Sequence, residues 1–155
     1  MTAPAPYAIR PAAASDVPAI KACIDASYRH YLERLGGVLP GPMREDYAEV
    51  VRTRRSVTVA ESDGAVTGVL ILDVTDDGFL LETVGVHPAH WGKGLGRLLL
   101  ELAEAEARRA GFDSIYLYTH QKMTENQALY AKIGYAEYER RVDDGLPRVF
   151  MRKRL

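Results

Sequence analysis

The fold turns on one stretch: Glu82-Thr83-Val84-Gly85-Val86-His87-Pro88-Ala89-His90-Trp91-Gly92-Lys93-Gly94-Leu95-Gly96-Arg97-Leu98-Leu99. A β-branched run stops at Pro88, and glycines then recur at every second position as Gly92, Gly94 and Gly96. An amphipathic pattern follows, with Leu95, Leu98, Leu99, Leu102 and Ala103 on one helical face. The order is strand, tight loop, helix. Glycine has no Cβ, so backbone N–H groups can approach a bulky anion, and the helix start adds about half a positive charge. The stretch reads as a phosphate cradle. It is not a Walker-type loop, because Gly94 follows Lys93 where a hydroxyl residue is needed. It is not a Gly-x-Gly-x-x-Gly fingerprint either, because the third glycine falls on Arg97 or Leu99.

Before the cradle, Val57 to Glu61, Val66 to Val74 and Phe79 to Val86 alternate as strands, with turns at Asp63-Gly64 and Asp76-Asp77-Gly78. These signals predict an antiparallel meander. After it, Gly92 to Ala110 predicts a central helix closed by Gly111, with Arg97, Glu101, Glu104 and Arg108 as solubilising partners on its outer face. Ser114 to His120 predicts a strand that must run parallel to Phe79 to Val86, since a helix intervenes. Thr124-Glu125-Asn126-Gln127 predicts a capping box that starts a helix ending at Gly134. Two last strands, Tyr135 to Val142 and Arg148 to Arg152, flank Asp143-Asp144-Gly145, and Arg152-Lys153-Arg154 reads as a solvated strand end.

At the other end, Tyr7 to Arg10 predicts a first strand and Ser15 an N-cap, with Asp16 and Pro18 in the first helical turn. Val17, Ile20, Ile24, Tyr28, Tyr31, Leu32 and Leu35 predict one long amphipathic helix, with Cys23 and His30 packed on its flank. Gly36 to Pro42 reads as non-helical, and Met43 to Thr53 as a second helix.

At 155 residues the chain predicts one domain over 1–155. Its 47% hydrophobic and 26% charged residues match a soluble globular protein. A net charge of −1 offers no overall field for nucleic acid or anionic membrane. Cys23 stands alone, which excludes an internal disulfide and a Cys-x-x-Cys metal site. Thr2 to Pro6 lack the blocks of a signal peptide, and no apolar run approaches the ~20 residues that span a bilayer, so a cytoplasmic address is expected. No Asp, Glu or His spacing around His87 and His90 points to a metal.

Val86-His87-Pro88 through Gly92-Lys93-Gly94-Leu95-Gly96 resembles the acetyl-coenzyme A loop of the Gcn5-related N-acetyltransferase (GNAT) superfamily, written Gln/Arg-x-x-Gly-x-Gly/Ala. Its glycines fall on Gly94 and Gly96 and its Gln/Arg position on Trp91. A second family segment recurs as Asn126-Gln127-Ala128-Leu129-Tyr130-Ala131-Lys132-Ile133-Gly134-Tyr135. The resemblance implies an α/β GNAT fold. Its mixed, mostly antiparallel sheet of six to seven strands carries about four helices, and its central parallel strands splay to hold acetyl-CoA. It implies acetyl transfer from acetyl-CoA to a primary amine of a small molecule or peptide, with no metal, and family members often pair as dimers.

Carried onto this sequence, the resemblance lays the diphosphate on Trp91, Gly92, Lys93, Gly94, Leu95, Gly96 and Arg97 and the pantetheine arm on the strand edge at Val84 and Val86. A backbone N–H near Val86 would polarise the thioester carbonyl. Tyr130 occupies the position of the tyrosine that protonates the leaving sulfur, and Asn126 is a candidate for an amide of the arm, although many relatives carry that asparagine where Met123 stands. Because an alkylamine with pKa near ~10 is mostly protonated at pH 7, its proton must be removed. The candidates are Glu82, which strict alternation puts on one face with Val84 and Val86, His120 at the neighbouring strand end, or a water chain. Tyr31 and Tyr47 are candidates to touch the acceptor or to pack in the core. Rival readings are a non-catalytic acyl-CoA-binding module, and acyl transfer to a hydroxyl or thioester hydrolysis.

Overall fold

In the computed structural model, which describes residues 7–155, the alternating runs form strands and the leucine-striped runs form helices. The reading of Thr2 to Pro6 lies outside the described residues. The elements are β1 (Ala8–Pro11), α1 (Val17–Tyr28), α2 (Tyr47–Thr53), β2 (Ser56–Ser62), β3 (Ala65–Thr75), β4 (Gly78–Val86), α3 (Leu95–Arg109), β5 (Ser114–His120), α4 (Thr124–Lys132), β6 (Ala136–Asp143) and β7 (Leu146–Arg154). The strands make one seven-stranded sheet in the order β1-β2-β3-β4-β5-β7-β6, antiparallel except between β4 and β5. Two-residue turns close β2–β3 and β6–β7, with Asp63 and Gly64 at φ 52° and 78° and Asp144 and Gly145 at 51° and 74°. Positive φ at both positions matches the right-handed twist of paired strands.

One face of the sheet carries α3, whose Leu95, Leu99 and Ala103 are buried with Leu70, Phe79 and Ile115. A Cβ at Gly68 of β3 would lie 3.1 Å from Leu95 and 3.2 Å from Leu99, so the missing side chain lets helix and sheet close up. The other face carries α1 and α2, which bury Ile20, Ile24 and Val50 against Val59, Val69 and Ile71.

Two irregularities in β4 position the site. Its pairing with β5 is in register only at Leu80↔Tyr116, whereas β5 pairs with β7 over its whole length. A gap therefore opens toward the carboxyl ends of the two parallel strands. In addition, Leu72↔Leu81 is followed by Ile71↔Thr83, which leaves Glu82 as an extra residue in a β-bulge. One extra residue shifts the period-two alternation. Phe79 and Leu81 face the α3 core, Val84 and Val86 pack against that same core, and a Cβ on Gly85 would meet Ile24 and Ser27 of α1. Glu82 thus does not share a face with Val84 and Val86, contrary to the strict-alternation reading.

Helix boundaries depart from the sequence pattern where side chains find partners elsewhere. α1 stops at Tyr28 and tightens into a 3-10 turn at Arg29–Tyr31, instead of running to Leu35. There the Tyr28 hydroxyl donates to the Val84 carbonyl (3.1 Å) and the Tyr31 hydroxyl to Asn126 Oδ1 (3.2 Å), bonds that outweigh the periodic pattern. Ser15 lies inside a 3-10 turn. The Asp16 carboxylate accepts from Ala13 N–H (2.7 Å) and from Arg10, and α1 starts at Val17. Gly41–Arg44 forms a 3-10 turn, and α2 begins only at Tyr47, where Asp46 accepts from the N–H groups of Ala48 and Glu49. α3 begins at Leu95 because Gly92 and Gly94 sit at φ 75° and 84°. The capping box is not formed. Thr124 lies inside α4, and the Gln127 amide donates to the His120 (3.3 Å) and Gln121 (2.9 Å) carbonyls. Of the basic tail, Arg152 and Lys153 are anchored rather than solvated, with Arg152 on Ser114 Oγ and the Asp77 carbonyl (3.0 Å each) and Lys153 on Glu104 (3.0 Å), while Arg154 is exposed. No helix among the described residues is long and apolar enough to cross a membrane.

Tyr135 is 3% exposed, packs edge-on against Tyr130 at 5.8 Å, and its buried hydroxyl has no partner among the described residues. An unsatisfied buried hydroxyl costs about 1–3 kcal/mol, so Tyr135→Phe is expected to raise unfolding stability by an amount in that range. Denaturant unfolding measures it; a loss of stability would show that the hydroxyl is satisfied in solution.

Candidate active site

The site grows from the unpaired edge of β4. In an antiparallel ladder the N–H and C=O of one residue point the same way, so Val84 and Val86 turn theirs toward the gap. Buried backbone groups need partners. Two side chains supply them for the carbonyls: the Tyr28 hydroxyl at Val84 (3.1 Å) and the Trp91 indole N–H at Val86 (2.8 Å). Trp91 stays 50% exposed, with the His30 ring edge-on at 5.2 Å.

Beyond Trp91 the glycine loop leads into α3. A Cβ on Gly92 or Gly94 would meet nothing within 4 Å, so what calls for glycine at these positions is their left-handed backbone and not packing. The first N–H groups of α3 have no carbonyl of their own helix to bond. A cavity of about 230 Å³ faces them, lined by His90, Trp91, Gly92, Gly94, Gly96 and Arg97. Lys93 is exposed and does not line this cavity.

A groove of about 800 Å³ continues from there between α1, α3 and α4, past Tyr31, Val86, Leu100 and Leu129. On its far side lies a smaller cavity of about 60 Å³, walled by Glu45, Glu82, Tyr118, His120, Met123 and Arg148. Tyr28, Val84, Asn126 and Tyr130 line both. The structure thus brings Glu82, His120, Val84, Asn126 and Tyr130 together. Tyr31 lines only the groove. Tyr47 lines neither: it belongs to the α1/α2 core, and its hydroxyl donates to the Pro42 carbonyl (2.5 Å), supporting the Gly41-Pro42 wall of the small cavity. Sequence reasoning missed Tyr28, Glu45, Tyr118 and Arg148. Tyr28 carried only the signal of an apolar helical face, and the others only that of ordinary loop and strand positions.

Burial decides the charge states. It pushes the Tyr130 phenol up to about 12, with Tyr31 adding to the rise, so Tyr130 is a neutral hydrogen-bond donor at pH 7. Burial likewise raises Tyr118 to about 12. Burial raises the Glu82 carboxyl above its ordinary value, opposed by the Arg54 guanidinium at 2.7 Å, which also lies 3.7 Å from Glu45. His120 is lowered by burial and by the cations Lys122 and Arg148, so it is neutral at pH 7. Its Nδ1 accepts the Lys122 N–H (3.0 Å), which places the imidazole proton on Nε2. Taking a proton at Nδ1 would break that turn. The Arg148 side chain is 11% exposed, stacks over the Tyr118 ring at 4.4 Å and donates to Asp143 at 2.7 Å. A Cβ on Gly41 would lie 3.0 Å from its Nη2, so the bare glycine backbone lets the loop lie close over this guanidinium.

Comparison with known proteins agrees with this architecture. The profile of the acetyltransferase (GNAT) family matches residues 24–135. The solved structure of yncA from Salmonella typhimurium, with its cofactor acetyl-CoA, superposes with a TM-score of 0.71 at 28% identity over 96% of this chain and 94% of that one. The mycothiol acetyltransferase of Jonesia denitrificans is 40% identical over 63 residues, and the L-methionine sulfoximine/L-methionine sulfone acetyltransferase of Salmonella typhimurium 48% identical over 60. These matches span 41% and 36% of this chain but only 20% and 35% of the curated relatives. With the family profile matching well over half its length and the splayed sheet and glycine loop in place, the chain belongs to the GNAT acetyltransferase family.

Proposed function

We propose that this chain is an acetyl-CoA-dependent N-acetyltransferase that passes acetyl directly to a primary amine. One observation carries the reading: the long groove and the small cavity meet at Tyr28, Val84, Asn126 and Tyr130, so a thioester entering from one side and an amine from the other face each other beside a neutral phenol. The lone cysteine, Cys23, is a buried free thiol, in keeping with the reducing cytoplasm.

The chain fits acetyl-CoA at three places. The glycine loop and the start of α3 offer N–H groups and open space to a diphosphate. The unpaired β4 edge at Val84 and Val86 suits the amides of a pantetheine arm, and Asn126 adds a side-chain amide at the seam. When bound, acetyl-CoA supplies the activated acetyl group and a thiolate leaving group. The β4 edge then offers N–H donors to the carbonyl oxygen that gains charge. Glu82, facing the small cavity, takes the proton of the attacking amine, and Tyr130 donates to the departing sulfur. Glu82 is a better base here than His120, whose acceptor nitrogen is already bonded.

Incubation with acetyl-CoA and a panel of primary amines is expected to release thiol and yield N-acetyl product; thiol without N-acetyl product would indicate hydrolysis or O-transfer, and tight binding without turnover a binding module. Trp91 is the one tryptophan and sits at the groove mouth, so titration with CoA should change its fluorescence saturably. Binding seen by calorimetry with no such change would put CoA elsewhere. Tyr130→Phe should lower kcat by about 100-fold and leave CoA affinity near wild type; equal losses in both would remove the acid role. Glu82 must be ionised to accept a proton, so kcat/KM should rise with pH through its pKa, which lies above 4.5. Glu82→Gln should lower kcat/KM by about 100-fold and abolish that limb. A limb that survives the substitution belongs to another group.

A further inference from the structure

The small cavity has two charged poles. Glu82 and Glu45 form one wall, both paired with Arg54, which lies outside the lining. Across the Tyr118 ring stands Arg148, whose one carboxylate partner, Asp143, is itself 43% exposed and also outside the lining. A guanidinium has five N–H donors, and beyond the bond to Asp143 no partner holds the others among the described residues, while Arg148 lines the cavity. His120 adds its Nε2–H at the same end, since its pairing with Lys122 fixes the tautomer and the strand register sets it opposite Arg148.

Resting on the transferase reading above, we propose that the acceptor is a zwitterion of the free α-amino acid type. Its carboxylate is held by Arg148 and its amino group lies at the Glu82 wall, next to the seam where the thioester would arrive. The volume agrees. A cavity of about 60 Å³ holds about four to six water-sized groups, and an α-amino acid head (nitrogen, Cα and carboxylate) has about five heavy atoms. A polyamine would bring a second cation toward Arg148 instead of an anion. A peptide N-terminus would bring a neutral amide, unable to accept the paired donors of a guanidinium as a carboxylate does. Glu82 takes one proton from the ammonium, which frees the nitrogen lone pair; as the N–C(acetyl) bond forms and the C–S bond breaks, Tyr130 gives its proton to the departing sulfur and is reset by the second proton from nitrogen, while the carboxylate takes no part in bond making.

The test compares matched acceptors with the wild-type chain and acetyl-CoA: leucine, leucinamide and 3-methylbutylamine, and the corresponding sets for methionine and phenylalanine. Chemistry alone favours the amide, because a carboxamide lowers the basicity of its amine and leaves more of it free. The proposal expects the reverse in at least one set, with kcat/KM for the acid about 10- to 100-fold above both analogues, the worth of charge-assisted bonds to Arg148. Arg148→Gln should collapse that ratio toward one, chiefly by raising KM for the acid, and Arg148→Lys should restore part of it. CoA affinity by calorimetry checks that each variant is folded. Amides or decarboxylated amines used as well as the acids would overturn the proposal, as would an acid-to-amide ratio unchanged in Arg148→Gln. If no amine of any kind is acetylated, the transferase reading itself falls, a result distinct from acetylation without preference for the acid.

Discussion

Everything at the site follows from the place where β4 and β5 stop pairing. A parallel pair held in register at a single position, Leu80↔Tyr116, leaves the remainder of β4 with backbone donors and acceptors that must be satisfied another way. The chain answers with two side chains, Tyr28 from the end of α1, far away in sequence, and Trp91 from the glycine loop that follows β4. The break in α1 is the other side of the same arrangement. A helix continuing to Leu35 would keep the geometry of its own backbone, whereas the 3-10 turn at Arg29–Tyr31 accompanies bonds from Tyr28 to β4 and from Tyr31 to α4. The opening in the sheet and the distortion of the first helix are therefore one feature.

What could be read from the sequence was whatever is encoded locally. The hairpin turns at Asp63-Gly64 and Asp144-Gly145 need residues that tolerate positive φ, and the sequence provides them in place. β5 is legible to its ends, Ser114 to His120, because Ile115, Leu117 and Thr119 alternate with Tyr116 and Tyr118. The glycine loop was legible because Gly92 and Gly94 serve backbone geometry, which composition reveals. What depended on contacts across the chain was not legible. Nothing near Glu82 announces a bulge, so alternation put it on the wrong face. Thr124 and Gln127 have the spacing of a capping box, yet Gln127 bonds the turn after β5, a competing set of carbonyls visible only in three dimensions. Arg152 and Lys153 look like a solvated tail until Ser114, Asp77 and Glu104 are seen beside them.

Charge at the site is handled by placing each counter-ion outside the cavity wall. Taking a carboxylate out of water is expensive, and for Glu82, with 10% of its side chain exposed, the Arg54 guanidinium at 2.7 Å offsets that cost. Arg54 in turn faces two carboxylates, so Glu82 does not hold its whole charge. The opposition shows in the net result: burial outweighs the ion pair, and the Glu82 pKa is raised. For the base role proposed for Glu82 that balance matters, since strong pairing weakens a carboxylate as a proton acceptor and burial strengthens it.

The two walls of the small cavity owe their positions to different devices. Tyr118, His120 and Arg148 are set by an antiparallel ladder of seven consecutive pairs between β5 and β7, from Ser114↔Arg154 to His120↔Arg148. A slip of one residue in that ladder would turn Tyr118 to the α3 core and bury Leu117 on the wrong face, so the hydrophobic pattern of β5 itself pins Arg148 over the Tyr118 ring. Glu82 is set by the opposite device, an irregularity in the β3–β4 ladder that no periodic pattern enforces, and it is held instead by its ion pair with Arg54 at the end of α2. The wall that carries Arg148 is thus fixed by strand register, and the wall that carries Glu82 by a local insertion tied down electrostatically. Sequence periodicity constrains the first strongly and the second hardly at all, and for that reason Glu82 is the residue whose surroundings had to come from the structure.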